Sequence, residues 1–159
     1  MNNLRISQVI LSTFLAFVLL FPSTAMLSNA TVGTFEESFP TGTAPIAVAV
    51  DEFNKRSYVV NSGSNSVTSI DTGPLVVLTP SISVGSNPKD VSIHKPNANV
   101  YVTNFDSDTV SIIDEFSDTV IDTITVGNGP DGIEVVDFID RAFVVNTLDN
   151  SVSVINTFE

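Results

Sequence analysis

The chain contains no cysteine. Disulfides, zinc–cysteine centres and thiol catalysis are therefore excluded. It contains no tryptophan and one histidine, His94. A repeat built on a Trp-Asp dipeptide is poorly served by such a composition. His94 stands before a polar turn and reads as a surface or strand-end residue in preference to a catalytic base. Many serines are present, but no nucleophile-elbow motif singles one out for Ser-His-Asp chemistry. Basic residues are scarce: 6 Lys+Arg face 18 Asp+Glu, for a formal net charge of −12. Nucleic acid and an anionic membrane surface would both be repelled. After residue 30 no stretch shows a long helical period.

What the chain does have is a repeat. The middle copy runs from Gly85-Ser-Asn-Pro88 through Val100-Tyr-Val-Thr-Asn104 and Thr109-Val-Ser-Ile-Ile-Asp114 to Gly127. Pro45, Pro88 and Pro130 lie 43 and 42 residues apart, as do Tyr58, Tyr101 and Phe143, and Asn61, Asn104 and Asn146. A fixed period of roughly 40–50 residues marks a repeat architecture. Each full copy holds four short segments rich in Val, Ile, Thr and Tyr, separated by Gly, Pro, Asn, Asp and Ser. In chain order they are strands A, B, C and D. The expected fold is all-β, a β-propeller of four-stranded antiparallel blades. Stacking blades buries the two faces that a lone four-stranded sheet leaves open.

Tyr101-Val-Thr-Asn104, with Asn-Pro-Lys-Asp-Val upstream and Thr-Val-Ser-Ile-Ile-Asp downstream, resembles the YVTN family of β-propeller repeats. The resemblance covers residues 31–159. Copies one and three depart at the name motif, as Tyr58-Val-Val-Asn61 and Phe143-Val-Val-Asn146. These swaps keep aromatic or β-branched residues and do not threaten the fold. The resemblance implies a secreted or surface-displayed protein, often of seven blades and usually without a known activity.

Residues 1–30 read as a signal peptide. Arg5 gives a positive start, and Val9 to Phe21 is a mostly apolar run of thirteen residues. That is shorter than the roughly 20 needed to span a bilayer. Small residues then offer cleavage after Ala25 or after Ala30, with Ala30 preferred. Residues 31–44 read as a lone outer strand, 45–87 as repeat 1, 88–129 as repeat 2 and 130–159 as a partial repeat 3. The lone strand, Thr34 to Gly42, is a D strand by the alignment of Gly42 with Gly85 and Gly127. Copy one carries Pro80 in its D strand, so that strand should be an edge or bulged strand. The tally is twelve strands, three blades' worth. Closed rings usually hold about 4–8 blades. Two readings stand: a piece of a larger propeller, or a homodimer in which each N-terminal strand completes the other chain's last blade to give six blades. A third, an open three-blade arc, would expose blade faces and an edge strand at Ser151–Asn156 and should aggregate.

Lys89, Asp90, Asp131 and Glu134 sit at or near the starts of A strands. In a propeller these would form an acidic channel mouth suited to cationic or hydroxyl-rich ligands. Asp106 and Asp108 share one B–C loop and Asp149 lies in the matching loop of copy three. Their spacing is compatible with Ca²⁺ ligation, though Asp and Asn also dominate turns because their side chains bond local backbone. No other cofactor is expected. Asn61, Asn104 and Asn146, like Tyr58, Tyr101 and Phe143, read as structural, each Asn ending strand B and bonding turn backbone.

The function expected from this set is a secreted or cell-surface binding or structural module that contacts protein or glycan and performs no catalysis. Recognition by loops on a rigid scaffold suits it. The competing classes are a lactonase or lyase with a channel metal, and a membrane-tethered sensor whose leader stays attached. Propeller enzymes draw on His, Glu, Arg or aromatic residues at the channel, and one histidine with no tryptophan argues against that class.

Overall fold

In the computed structural model the described residues are 36–158. The signal peptide and its cleavage sites lie outside them. Ser38–Glu159 forms one compact unit. Eleven strands run in chain order: β1 (Pro45–Asp51), β2 (Arg56–Asn61), β3 (Ser66–Asp71), β4 (Val76–Ser83), β5 (Pro88–His94), β6 (Asn99–Asn104), β7 (Thr109–Asp114), β8 (Thr119–Thr125), β9 (Pro130–Val136), β10 (Arg141–Asn146) and β11 (Ser151–Asn156).

They form three antiparallel sheets with up-and-down order: β1-β2-β3-β4, β5-β6-β7-β8 and β9-β10-β11. Each sheet is one blade. The β-branched content of the strands suits a pleated, half-buried surface. The links are punctuated by residues in the left-handed region, including Asn65, Asp108 and Asn150. Short polar side chains tolerate that region better than most.

The A strands expected from the sequence, Ile46–Val50, Asp90–His94 and Ile133–Val136, start later than the real ones, which begin at the prolines. The reason is a bulge. Pairing slips between Pro45 and Ala47, between Pro88 and Val91, and opposite Val144 to Asn146. An extra residue is thereby left unpaired at the same place in every repeat. β4 does carry Pro80 and is an edge strand whose register against β3 shifts twice. Of the expected lone D strand, Thr34 to Gly42, the described part, residues 36–42, adopts no strand. A strand needs a ladder partner, and within the described residues that segment pairs with none of the three sheets.

The blades bury each other's faces. One core joins Tyr58, Val60, Val67 and Ile82 of blade 1 to Val91, Ile93, Val100, Val102 and Ile113 of blade 2. The second joins Tyr101, Val110 and Ile112 of blade 2 to Ile133, Val135, Ala142, Val144 and Ile155 of blade 3. Each buried aliphatic side chain contributes on the order of 1.5–3 kcal/mol.

Candidate functional site

Polar side chains do much of the joining between blades. The Asp90 carboxylate accepts the amides of Val91 at 2.9 Å and Ile133 at 3.0 Å, so the bulge on β5 reaches β9. Ser92 Oγ accepts the Val135 amide at 3.0 Å. Thr103 Oγ1 accepts the Asp90 amide at 3.0 Å and donates to the Asp131 carbonyl at 2.8 Å. The threonine of Tyr101-Val-Thr-Asn104 is thus a bracket across blades 2 and 3.

The predicted channel-mouth residues do not converge. Asp90 is committed to backbone amides. Lys89 is half-buried, its ammonium 5.4 Å from the Phe105 ring centroid, a cation–π distance. The Asp131 side chain is exposed. Glu134 alone of the four borders an open hollow of about 580 Å³ between β1, β5 and β9. Val48, Val50, Ile93, Val135 and Phe138 line it, with Lys95 and Asp137.

The carboxylates considered for calcium are not brought together either. Asp108 accepts the Gly129 amide at 2.9 Å. Asp149 accepts the backbone and side-chain amides of Asn128 at 2.6 and 2.8 Å. Among the described residues no group of three or more His, Cys, Asp or Glu side chains is placed to hold a metal ion. Both carboxylates bond loops 21 residues away in sequence, a contact between loops and not the local turn bonding expected of them.

Asn61, Asn104 and Asn146 are structural, but not through turn backbone. Each is buried, and its Nδ2 donates to two hydroxyls of the C strand: Ser66 and Thr68, Thr109 and Ser111, Ser151 and Ser153. The partners stand five and seven residues downstream in every repeat, a signal present in the sequence.

His94 does end its strand, β5, but it is buried and not on the surface. Its Nδ1 lies 2.6 Å from Asn97 Oδ1 and its Nε2 3.2 Å from Asp140 Oδ1. Asn97 Nδ2 donates to the Thr157 carbonyl at 2.9 Å. The single histidine is a clip between blades 2 and 3.

Blades 1 and 2 share a comparable polar knot. Asp118 accepts hydroxyls from Tyr58 at 3.1 Å, Ser69 at 2.7 Å and Thr79 at 2.8 Å, with Arg56 3.6 Å away. Burial, then the Asp118 charge, pushes the Tyr58 hydroxyl well above its usual range. Glu115 is buried beside it and accepts Asn54 Nδ2 at 2.8 Å. Burial raises its carboxyl above the ordinary value; the Asn54 hydrogen bond opposes this and the nearby Asp51 charge adds to it. On the surface, Lys95 donates to Glu52 at 2.9 Å, lowering the Glu52 carboxyl and raising the Lys95 ammonium.

A feature missed by sequence reasoning lies at one end of the blades. The up-and-down order places every A–B and C–D turn at the same end of its sheet. There Phe53, Phe116, Phe138 and Phe158 are 79, 73, 87 and 69% exposed. Phe116 and Phe158 are 42 residues apart, so they hold equivalent places after their C strands. Asn54–Glu115 ties the Phe53 turn to the Phe116 turn, and His94–Asp140 and Asn97–Thr157 tie the A–B turn of blade 2 to the segments that carry Phe138 and Phe158. Phe138 also lines the hollow between β1, β5 and β9. Apolar rings on turns, where Gly, Asn and Asp are the norm, were the available signal.

No family model matches the chain, and no curated protein matches it in sequence. Solved structures do. A structure of Kuenenia stuttgartiensis hydrazine synthase is similar at 26% identity and a TM-score of 0.67, over 79% of this chain and 36% of that one. A putative 6-phosphogluconolactonase from Bacteroides fragilis is similar at 15% identity and a TM-score of 0.58, over 71% and 35%. The β-propeller domain of Myceliophteria thermophila Cps50 (Swd1) is similar at 9% identity and a TM-score of 0.64, over 79% and 39%. The chain therefore spans little more than a third of the length of these structures. Three stacked antiparallel blades and these likenesses make the fold that of a partial β-propeller.

Proposed function

We propose that the chain is built of YVTN-type propeller repeats and acts, secreted or at the cell surface, as a non-catalytic module that binds protein or glycan. One observation carries this reading. Four buried or half-buried titratable side chains, His94, Asp90, Asp118 and Glu115, hold blade to blade, while four phenylalanines stand exposed at one end. Exposed apolar groups rimmed by polar residues mark interaction sites. Rings among carboxylates suit the apolar faces and hydroxyl edges of sugars, or an apolar, basic protein patch.

The test is retention of the purified chain on isolated envelopes of the cells that export it. Replacing the four phenylalanines with serine, at unchanged melting temperature, should weaken retention by at least about tenfold. Equal retention would overturn the reading, as would a lactone-hydrolysing activity lost on Glu134→Gln.

A further inference from the structure

The two outer faces of the blade stack are the two halves of one repeated interface. Val110 and Ile112, on the face of blade 2 that meets blade 3, are buried. Their equivalents 42 residues on are Val152 and Val154, which are 58 and 56% exposed on blade 3. In the other direction, Val91 and Ile93 of blade 2 are buried against blade 1. Their equivalents 43 residues back, Val48 and Val50, are 62 and 51% exposed. Among the described residues blade 3 thus offers a front that no blade covers, and blade 1 a back that no blade covers.

The polar contacts repeat the same pattern. Asn65 Oδ1 accepts the Asn87 amide at 2.9 Å, and Asp108 Oδ1 accepts the Gly129 amide at 2.9 Å. Each joins the B–C turn of one blade to the loop that enters the next. Asn150 is the third acceptor in this series, and Ala44 the residue equivalent to Asn87 and Gly129. All of these residues share the left-handed backbone conformation. Asn150 is exposed and borders a shallow hollow with Val145 and Val152. A second hollow, lined by Ile46, Val48 and Val59, lies on the free face of blade 1.

We infer that a second copy of this chain docks head to tail on these faces. The front of blade 3 in one copy covers the back of blade 1 in the other, and Asn150 Oδ1 accepts the other copy's Ala44 amide. Two such contacts close a six-bladed ring of two chains. The interfaces inside the chain call for the back of a blade of this repeat against the equivalents of Val110 and Ile112, and blade 1 of a second copy presents one. Residues 38–41, which precede Gly42 as β4 precedes Gly85 and β8 precedes Gly127, then lie where they can pair with the open edge of β11 in the other copy. Head-to-tail contacts form closed rings when the rotation closes and filaments when it does not. This inference is independent of the proposed binding role.

The test is the solution mass of the exported chain by light scattering, at micromolar concentration, with two charge variants. Val152→Lys spoils the front and Val48→Glu the back. The parent should be a dimer and each variant alone a monomer. Mixing the variants should restore a one-to-one heterodimer, because one contact then pairs Lys with Glu and the other is native. A monomeric parent would overturn the inference and leave the faces to further blades of a longer chain. A polydisperse filament would overturn the ring. A dimer that persists in either variant, or variants that fail to complement, would overturn the head-to-tail geometry.

Discussion

A methyl group placed on Gly85 would lie 2.6 Å from Cγ of Asn104. The same collision would occur between Gly127 and Asn146 at 2.6 Å, and between Gly42 and Asn61 at 2.7 Å. The glycine that ends each D-to-A approach is therefore the floor against which the B-strand asparagine packs. Gly85→Ala should cost about 1–3 kcal/mol in urea unfolding, because a buried amide held by two hydroxyls has little room to move. An unchanged midpoint would show that the amide yields.

Asn104→Ala removes both hydrogen bonds to Thr109 and Ser111 and opens a void beneath Gly85. A loss of about 2–3 kcal/mol is expected. Asn104→Asp should also destabilise at neutral pH, since a carboxylate would be buried at a site where no cation is among the partners. Denaturant titration of both variants checks this.

Asp118 should be the costliest surface-turn residue to replace. It serves Tyr58, Ser69 and Thr79 at once and spans blades 1 and 2. Asp118→Ala removes the acceptor shared by the buried Tyr58 and Ser69 hydroxyls and the half-buried Thr79 hydroxyl, and leaves the Arg56 guanidinium without its carboxylate, for a loss of roughly 3 kcal/mol. Asp122→Ala, on an exposed stretch of β8, should stay within about 0.5 kcal/mol. Thermal melts of the pair should separate clearly.

Glu115 gives a pH dependence of definite sign. Its carboxyl is raised by burial above the ordinary value of 4.5, so the folded chain holds that proton more tightly than the unfolded one. Its contribution is most favourable below the ordinary value and is lost as pH rises through the raised one. Glu115→Gln should remove that loss and leave the chain more stable than the parent at pH 7, while a glutamine oxygen still accepts Asn54. Urea midpoints of parent and variant from about pH 4 to about pH 8 should diverge with rising pH. Parallel curves would contradict this.

Thr103→Val places in copy two the residue that copies one and three carry, Val60 and Val145. It keeps the shape but strips the bracket between the Asp90 amide and the Asp131 carbonyl. A loss of about 1–2 kcal/mol is expected, with exchange of the Asp90 amide accelerated in nuclear magnetic resonance.

The C strands, expected at Ser66–Asp71, Thr109–Asp114 and Ser151–Asn156, were legible in the sequence to the residue, because Asn65, Asp108 and Asn150 end the preceding turns. The starts of the A strands were not, since a bulge is a property of pairing and Pro88-Lys89-Asp90 alone does not disclose it. Asp90 looked free for a ligand until β9 packed beside it. The burial of His94 depends on Asp140, 46 residues away, and the role of Asp118 on Ser69, 49 residues back. Such contacts belong to the stacking of blades, which local patterns do not encode. The exposed phenylalanines were readable in the turns but were overlooked in favour of backbone chemistry.

The central claim is that contact is made at the phenylalanine-bearing turns, with the polar side chains between blades serving the fold. Hydrogen–deuterium exchange of the chain free and bound to envelopes tests it most directly, since exposed turn amides exchange fast unless covered. Protection should fall on residues 52–54, 115–118 and 137–140, with the opposite loops at 85–87, 104–108 and 127–129 unchanged. Protection confined to those opposite loops would contradict the account and return attention to Lys89, Asp90 and Asp131.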